Sequence, residues 1–380
     1  MAYEIDFIGV SADSCSKDAD AICLRWKSGV DYYGNPKYKI GVIDGGFEVH
    51  GDAMVKHLNQ YYFDDKNNTI DPAEKTIDFV VVTHPDMDHT VGLKRIFENF
   101  NVLKVYMNRP WIYTNELFDK VDDGRITKKS LYDRLRMKYA TIADIEELAE
   151  DQGTKIIEAF QGTIIENSIR ILSPSKDFYL QLLVESEKTP LTNHTADNHF
   201  GESIAKMAQK AKRVVLSLWE SWTKELLREE VETSAENETS VVLRGLINKK
   251  GFLLTGDAGV RALNNSIDYL ERIGENVRET VSFYQIPHHG GRHNINPSTL
   301  NRLIGNKVNK GETVHKTAFA SVAKDSDHPK KMVTNAFIRR GVTVYKTDGA
   351  TLWHHIDMPL RNWGRATNIQ FSDYVEEWDD

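Results

Sequence analysis

Ile77-Asp78-Phe79-Val80-Val81-Val82-Thr83-His84-Pro85-Asp86-Met87-Asp88-His89 is an apolar run that ends in two histidines and two carboxylates. Ile77 to Val82 reads as a buried strand. Pro85 forbids an immediate helix and biases His84 toward extended backbone. Downstream, Leu93, Ile96, Phe97 and Phe100 share one helical stripe. The four polar side chains therefore stand on a loop between a core strand and an amphipathic helix, a setting that holds ligands rigidly. His84 with Asp86, and Asp88 with His89, form two pairs able to bind two ions side by side. Imidazole and carboxylate donors without thiolate suit zinc, manganese or iron better than calcium. Helix capping by Asp88, with the histidines as satisfied surface groups, explains any one of these residues but not the whole set.

The loop resembles the histidine and aspartate signature of the metallo-β-lactamase superfamily, and later segments narrow the likeness. Gly251 to Ala258 is similar to the strand that ends in a bridging aspartate, here Asp257. Tyr284 to Gly291 carries His288-His289-Gly290, a form typical of the hydrolase domain of the DNA-uptake protein ComEC. Asn237 to Leu243 resembles that group's segment before the aspartate strand, and Lys39 to Gly46 the strand whose terminal Asp44 supports the metal loop. His328-Pro329 and Lys346 to Ala350 fall where ComEC-like domains carry similar pairs. The resemblance covers about residues 4–175 and 237–356. It departs from the superfamily in two places: Asn237 holds the neighbourhood of a third ligand histidine, and Gly291 replaces a small hydroxyl residue. His194 and His199 read as solvated histidines of a polar loop.

This resemblance implies a cofactor of two divalent metal ions, zinc or manganese, held by His84, Asp86, Asp88, His89, Asp257 and His289. It favours His289 over His288 as ligand, with His288 packing behind. Asp44 and Asn237 would support the ligands from outside, Asp88 would serve in catalysis as well as binding, and His328 would steady or protonate the leaving oxygen.

Composition sets the remaining limits. At 380 residues and 27% charged, the chain reads as one large α/β domain with helical additions. No run of eighteen apolar residues exists, which argues against a membrane span or membrane partner. The start lacks a basic then apolar leader, and Cys15 and Cys23 are too few for a disulfide framework, so the expected compartment is the cytoplasm.

Strand-like segments at Tyr3 to Gly9, Ala21 to Trp26, Tyr38 to Ile43, Ile77 to Val82 and Val102 to Met107 make a first half. Others at Phe252 to Leu254, Val281 to Ile286, Thr317 to Val322, Val342 to Lys346 and Thr351 to Ile356 make a second. Two sheets flanked by helices, an αββα sandwich, accommodate this order. Residues 109–160 read as a helical elaboration with the basic run Arg125, Lys128, Lys129, Arg134, Arg136 and Lys138. Residues 176–236 read as a helical insertion, with a helix from Ser203 to Glu232 carrying Lys206, Lys210, Lys212, Arg213, Trp219 and Trp222, and offer a surface for a protein partner. Val375 to Asp380 reads as a disordered acidic tail.

Function follows from the site and the resemblance: a phosphodiesterase or nuclease acting on DNA or RNA, with Lys128, Lys129, Arg134 and Arg136 as substrate contacts. A solvated helix face explains the basic run as well, and a net charge of −8 weighs against wholesale adhesion to nucleic acid. A small-molecule hydrolase acting on an ester, thioester, lactone or cyclic nucleotide is the alternative. A partner-binding module with weak or lost hydrolysis is the reading from another class.

Overall fold

Alternation along the strands decides the layering. Phe79 and Val81 point to one side of their strand and join Tyr3, Ile5, Phe7, Leu24, Phe252, Phe283 and Phe319 in a buried cluster between two sheets. Val80 points the other way, into a second cluster with Ile96, Phe97, Leu131, Leu135 and Ile142 from covering helices. A third cluster lies outside the other sheet, where Leu253, Tyr284 and Ala318 meet Leu263, Ile267, Val333 and Phe337. The computed structural model describes residues 2–65, 70–120, 126–186, 189 and 217–378, and within them the order of layers is helix, sheet, sheet, helix.

Each of the two main sheets has seven strands. The first runs in the order Leu352–Ile356, Tyr3–Phe7, Ala21–Val30, Pro36–Gly45, Phe79–Val81, Lys104–Tyr106, Lys155–Ile157. The second runs Val342–Lys346, Lys316–Ala320, Val281–Gln285, Lys250–Leu254, Val242–Ile247, Ile169–Ser173, Ile164–Ile165. In both, the strands first in sequence pair antiparallel, and parallel strands follow from Pro36–Gly45 in one and Lys250–Leu254 in the other. The parallel strands therefore end along one edge of the sandwich, where α/β sheets place their ligands.

Three sequence expectations give way. Leu352–Ile356, expected in the second half, crosses to pair antiparallel with Tyr3–Phe7 at the edge of the first sheet. The expected helix Ser203 to Glu232 is not formed over its described part. Ser217–Trp219 is a strand and no helix follows as far as Glu232. The Arg339 guanidinium accounts for this, because it donates to the backbone carbonyls of Ser221, Trp222 and Lys224, acceptors that a helix would need for itself. The expected acidic tail is instead a strand, Tyr374–Glu376, paired antiparallel with Ser217–Trp219, with Val375 buried. Trp378 beyond it donates to the Leu226 carbonyl and lies under the guanidinium groups of Arg228 and Arg292. Trp222 is partly buried against Phe371, whereas Trp219 is exposed. Arg125, His194, His199, Lys206, Lys210, Lys212 and Arg213 lie outside the described residues. No helix among the described residues is long and apolar enough to cross a membrane.

Candidate metal centre

Strand ends bring the polar residues together. Phe79–Val81 runs out into Thr83 and the histidine loop, and Pro36–Gly45 delivers Asp44 beside it. Asp44 accepts hydrogen bonds from the Thr83 amide at 2.8 Å and the Thr83 hydroxyl at 2.6 Å, and lies 2.7 Å from His89 Nδ1. That contact fixes the proton of His89 on Nδ1 and turns Nε2 inward. Asp86 sits at the N-cap of the helical turn Met87–Thr90, yet its side chain makes no capping bond.

From the second sheet, Lys250–Leu254 delivers Asp257 and Val281–Gln285 delivers His288 and His289. Asp257 Oδ1 lies 3.3 Å from His89 Nε2, and Oδ2 lies 3.6 Å from His84 Nε2 and hydrogen-bonds His288 Nδ1. His289 donates from Nδ1 to the Ser321 carbonyl at 2.8 Å, which turns its Nε2 toward Asp88 Oδ2 at 3.4 Å. Three sets of donor atoms converge: His84, His89 and Asp257; Asp88, His89 and His289; Asp257, His288 and His289. Asp86 stands outside these sets, its Oδ2 3.7 Å from His84 Nε2.

Two placements differ from the sequence reading. His84 and His89 face Asp257 together rather than dividing between separate carboxylate pairs. His288 does not pack behind His289: its side chain is 37% exposed and touches Asp257 and, at 3.3 Å, Asn237. Gly291 makes that position available, because a Cβ there would come within 2.8 Å of His288 Cδ2.

The donor set fits divalent cations. His84 Nε2, His89 Nε2 and Asp257 Oδ1 are buried and make no hydrogen bond of good geometry, the last two facing each other at 3.3 Å as an ion-pair contact only. Leaving three such atoms unsatisfied is costly unless something binds them. Asp20, Asp44 and Asp257 are all buried here, and Asp86 and Asp88 are partly so. Without a metal, protons supply the compensating charge. Burial disfavours the charged form of His289, but its bond to Asp88 and the charges of Asp257 and Asp20 push it up to about 10. Burial likewise opposes a charge on His89, yet Asp257 and Asp44 hold it well above the usual imidazole range. Asp257 is held well below the carboxylate range by His89 and His288 against the effect of burial.

Sequence reasoning missed three residues of this centre. Asp20 accepts from Gln285 Nε2 at 2.9 Å and stands 3.9 Å from His89 Nδ1. Asp18 accepts from His328 Nδ1 at 2.9 Å. His50 is buried, and burial together with the charge of His289 brings it down to about 4. None follows a metal-ligand spacing; the one available signal was the Asp18-Ala19-Asp20 pair directly before a strand. His328 lies at the mouth of the site, its ring centroid 6.5 Å from that of His288. In the basic run, Arg136 is engaged by Glu146 and Glu147 and stacks on Trp111, and Lys128 donates to Asn115 at 2.9 Å. Lys129 is exposed and Arg134 partly so.

Residues 35–164, which include Asp44 and the histidine loop, match the family model of the metallo-beta-lactamase superfamily. The fold is the metallo-β-lactamase fold. Among solved structures the chain is similar to unliganded yeast PDE1, at 10% identity over 93% of this chain and 99% of that one, with a TM-score of 0.41. It is also similar to Zn(2+)-bound PqqB from Methylobacterium extorquens, at 12% identity over 92% and 99% of the two chains, with a TM-score of 0.37. A long form RNase Z from yeast follows at 10% identity, 75% and 37% coverage and a TM-score of 0.30. None of the curated proteins matches the sequence.

Proposed function

We propose that this protein is a metal-dependent phosphodiesterase, a nuclease acting on DNA or RNA, built on a ComEC-like plan. The observation that carries the reading is the convergence, on a cleft whose mouth holds His288 and His328, of buried His84, His89 and Asp257 donor atoms that make no hydrogen bond of good geometry. Divalent cations bound there, zinc or manganese, would polarise a phosphoryl oxygen and make water a nucleophile near neutral pH. The chain's own residues do the rest. Asp44 and the Ser321 carbonyl fix the tautomers of His89 and His289, Asp88 holds the facing wall of the cleft, and His328 is placed to protonate a departing alkoxide. Lys129 and Arg134 remain available for a polyanion.

A second reading, hydrolysis of a small phosphodiester or ester, is favoured by the commitment of Arg136 to Glu146 and Glu147. The two separate by charge reversal. Lys128→Glu with Lys129→Glu should raise KM for labelled single-stranded DNA several-fold and steepen its salt sensitivity, leaving a chromogenic diester unchanged. Equal behaviour on both substrates would favour the small substrate. In either case Asp257→Ala should abolish manganese- or zinc-dependent turnover, and retained turnover would remove the site assignment.

A further inference from the structure

Asp18 belongs to none of the motifs read from the sequence, yet it takes part in three hydrogen bonds beside the cleft. Its Oδ1 accepts from the Ala323 amide at 2.7 Å. Its Oδ2 accepts from the Ser326 hydroxyl at 2.9 Å and from His328 Nδ1 at 2.9 Å. The Ser326 hydroxyl in turn accepts from the His328 amide at 3.1 Å. Two residues on, Asp20 turns instead to Gln285 and His89. One short segment of the first half thus braces the mouth of the cleft through one carboxylate and its floor through the other.

The His328 loop is also fixed to the late histidine motif. Gly290 packs on Pro329 so closely that a Cβ would lie 2.3 Å from the proline Cβ, and the Lys330 amide donates to the Gly290 carbonyl at 3.1 Å. The imidazole is therefore set relative to His288 and His289 by backbone on one side and by Asp18 on the other. Burial disfavours an ionised Asp18, but the bonds from His328, Ala323 and Ser326 and the charge of His289 bring it down to about 2. A carboxylate in that state only accepts, so the Nδ1 proton of His328 is committed to it and Nε2 is left for the cleft.

Resting on the phosphodiesterase reading above, we propose that Asp18 is the positioning residue of the general acid His328, holding its ring so that Nε2 faces the leaving oxygen. In the step, water supplies the new oxygen on phosphorus and the P–O bond to the leaving group breaks. The leaving oxygen takes the Nε2 proton and departs as an alcohol. His328 is left neutral, its Nδ1–H still on Asp18, and regains a proton from solvent water. The arrangement has the logic of an acid–histidine pair in which the carboxylate orients the ring and never itself takes the proton.

The role is visible in leaving-group dependence, which a purely structural role would not produce. A p-nitrophenolate leaves without a proton; the sugar alkoxide of DNA does not. Asp18→Asn should lower kcat on single-stranded DNA by roughly 100-fold, the low end of general-acid effects, while turnover of methyl p-nitrophenyl phosphate stays within about threefold. Asp18→Glu should recover part of the loss, and Asp18→Asn should add little to His328→Ala. Imidazole ¹⁵N spectra should show the Nδ1–H tautomer of His328 in the wild type and its loss in Asp18→Asn. A parallel loss on both substrates, or an unchanged His328 tautomer, overturns the assignment. A wild type that cleaves neither substrate removes the phosphodiesterase reading, and the tautomer then decides the Asp18–His328 pairing by itself.

Discussion

Asp44 shows how one residue organises the centre: a single buried carboxylate ties down the strand end at Thr83 and selects the tautomer of His89. Asp44→Ala should weaken metal binding by about 10–100-fold without removing a direct ligand, as read by chelator competition. Unchanged affinity would mean the loop is rigid without it. A second residue-scale prediction concerns His354, stacked on Phe283 at 4.2 Å in the inter-sheet core. Burial, aided by the charge of His355, brings its imidazole down to about 3. The folded state therefore binds this proton less well than the unfolded chain, whose histidines titrate near 6.5. Its contribution to stability is complete above that pH and is lost as pH falls toward about 3. Between pH 6.5 and 5 wild type should lose about 2 kcal/mol more than His354→Phe in urea unfolding, at about 1.4 kcal/mol per pH unit. Identical pH dependence in the two proteins would contradict the assignment. At this scale the sequence discloses the ligand-type residues because they are crowded onto strand ends. It conceals Asp18 and Asp20, whose partners lie on segments distant in sequence, and His50, which is linked to the centre only through the charges of His289 and Asp88.

Among the elements, the central strands were legible because both of their faces are buried, so Phe79–Val81 sits in the longer apolar run Ile77 to Val82 and Val281–Gln285 in Val281 to Ile286. Short strands such as Lys155–Ile157 and Ile164–Ile165 were not, since two or three residues carry no period. The segment after Ser217 was misread because its tryptophans and charges fall at helical spacing while its carbonyls belong to Arg339. Both the Arg339–Glu220 and Arg340–Glu225 ion pairs are buried. Arg339→Ala should therefore cost about 3–5 kcal/mol, chiefly by stranding the Glu220 carboxylate, measured as a lowered urea midpoint. A loss below about 1 kcal/mol, the size of a surface pair, would show the strap to be peripheral. Val375→Asp probes the same layer from the C-terminal strand and should lower the melting temperature, whereas a disordered tail would tolerate it.

Over the whole molecule, two sheets of matching plan pack face to face, and at one edge of the sandwich each contributes what the other lacks. The first brings His84, Asp88, His89 and the supporting carboxylates; the second brings Asp257, His288, His289 and His328. Neither half could satisfy its buried donors alone, so cation binding should couple to the stability of the whole chain. Metal removal should lower the melting temperature, and re-addition should restore it in proportion to the logarithm of the free ion concentration. The most direct test of the central claim combines metal content with turnover in the same preparations. Wild type and Asp257→Ala would be purified, assayed for bound zinc and manganese, and given labelled single- and double-stranded DNA and a chromogenic phosphodiester. The account predicts about two metals per wild-type chain, the binuclear count, with metal-dependent phosphodiester cleavage and loss of both in the variant. Full metal occupancy or undiminished cleavage in Asp257→Ala would contradict it.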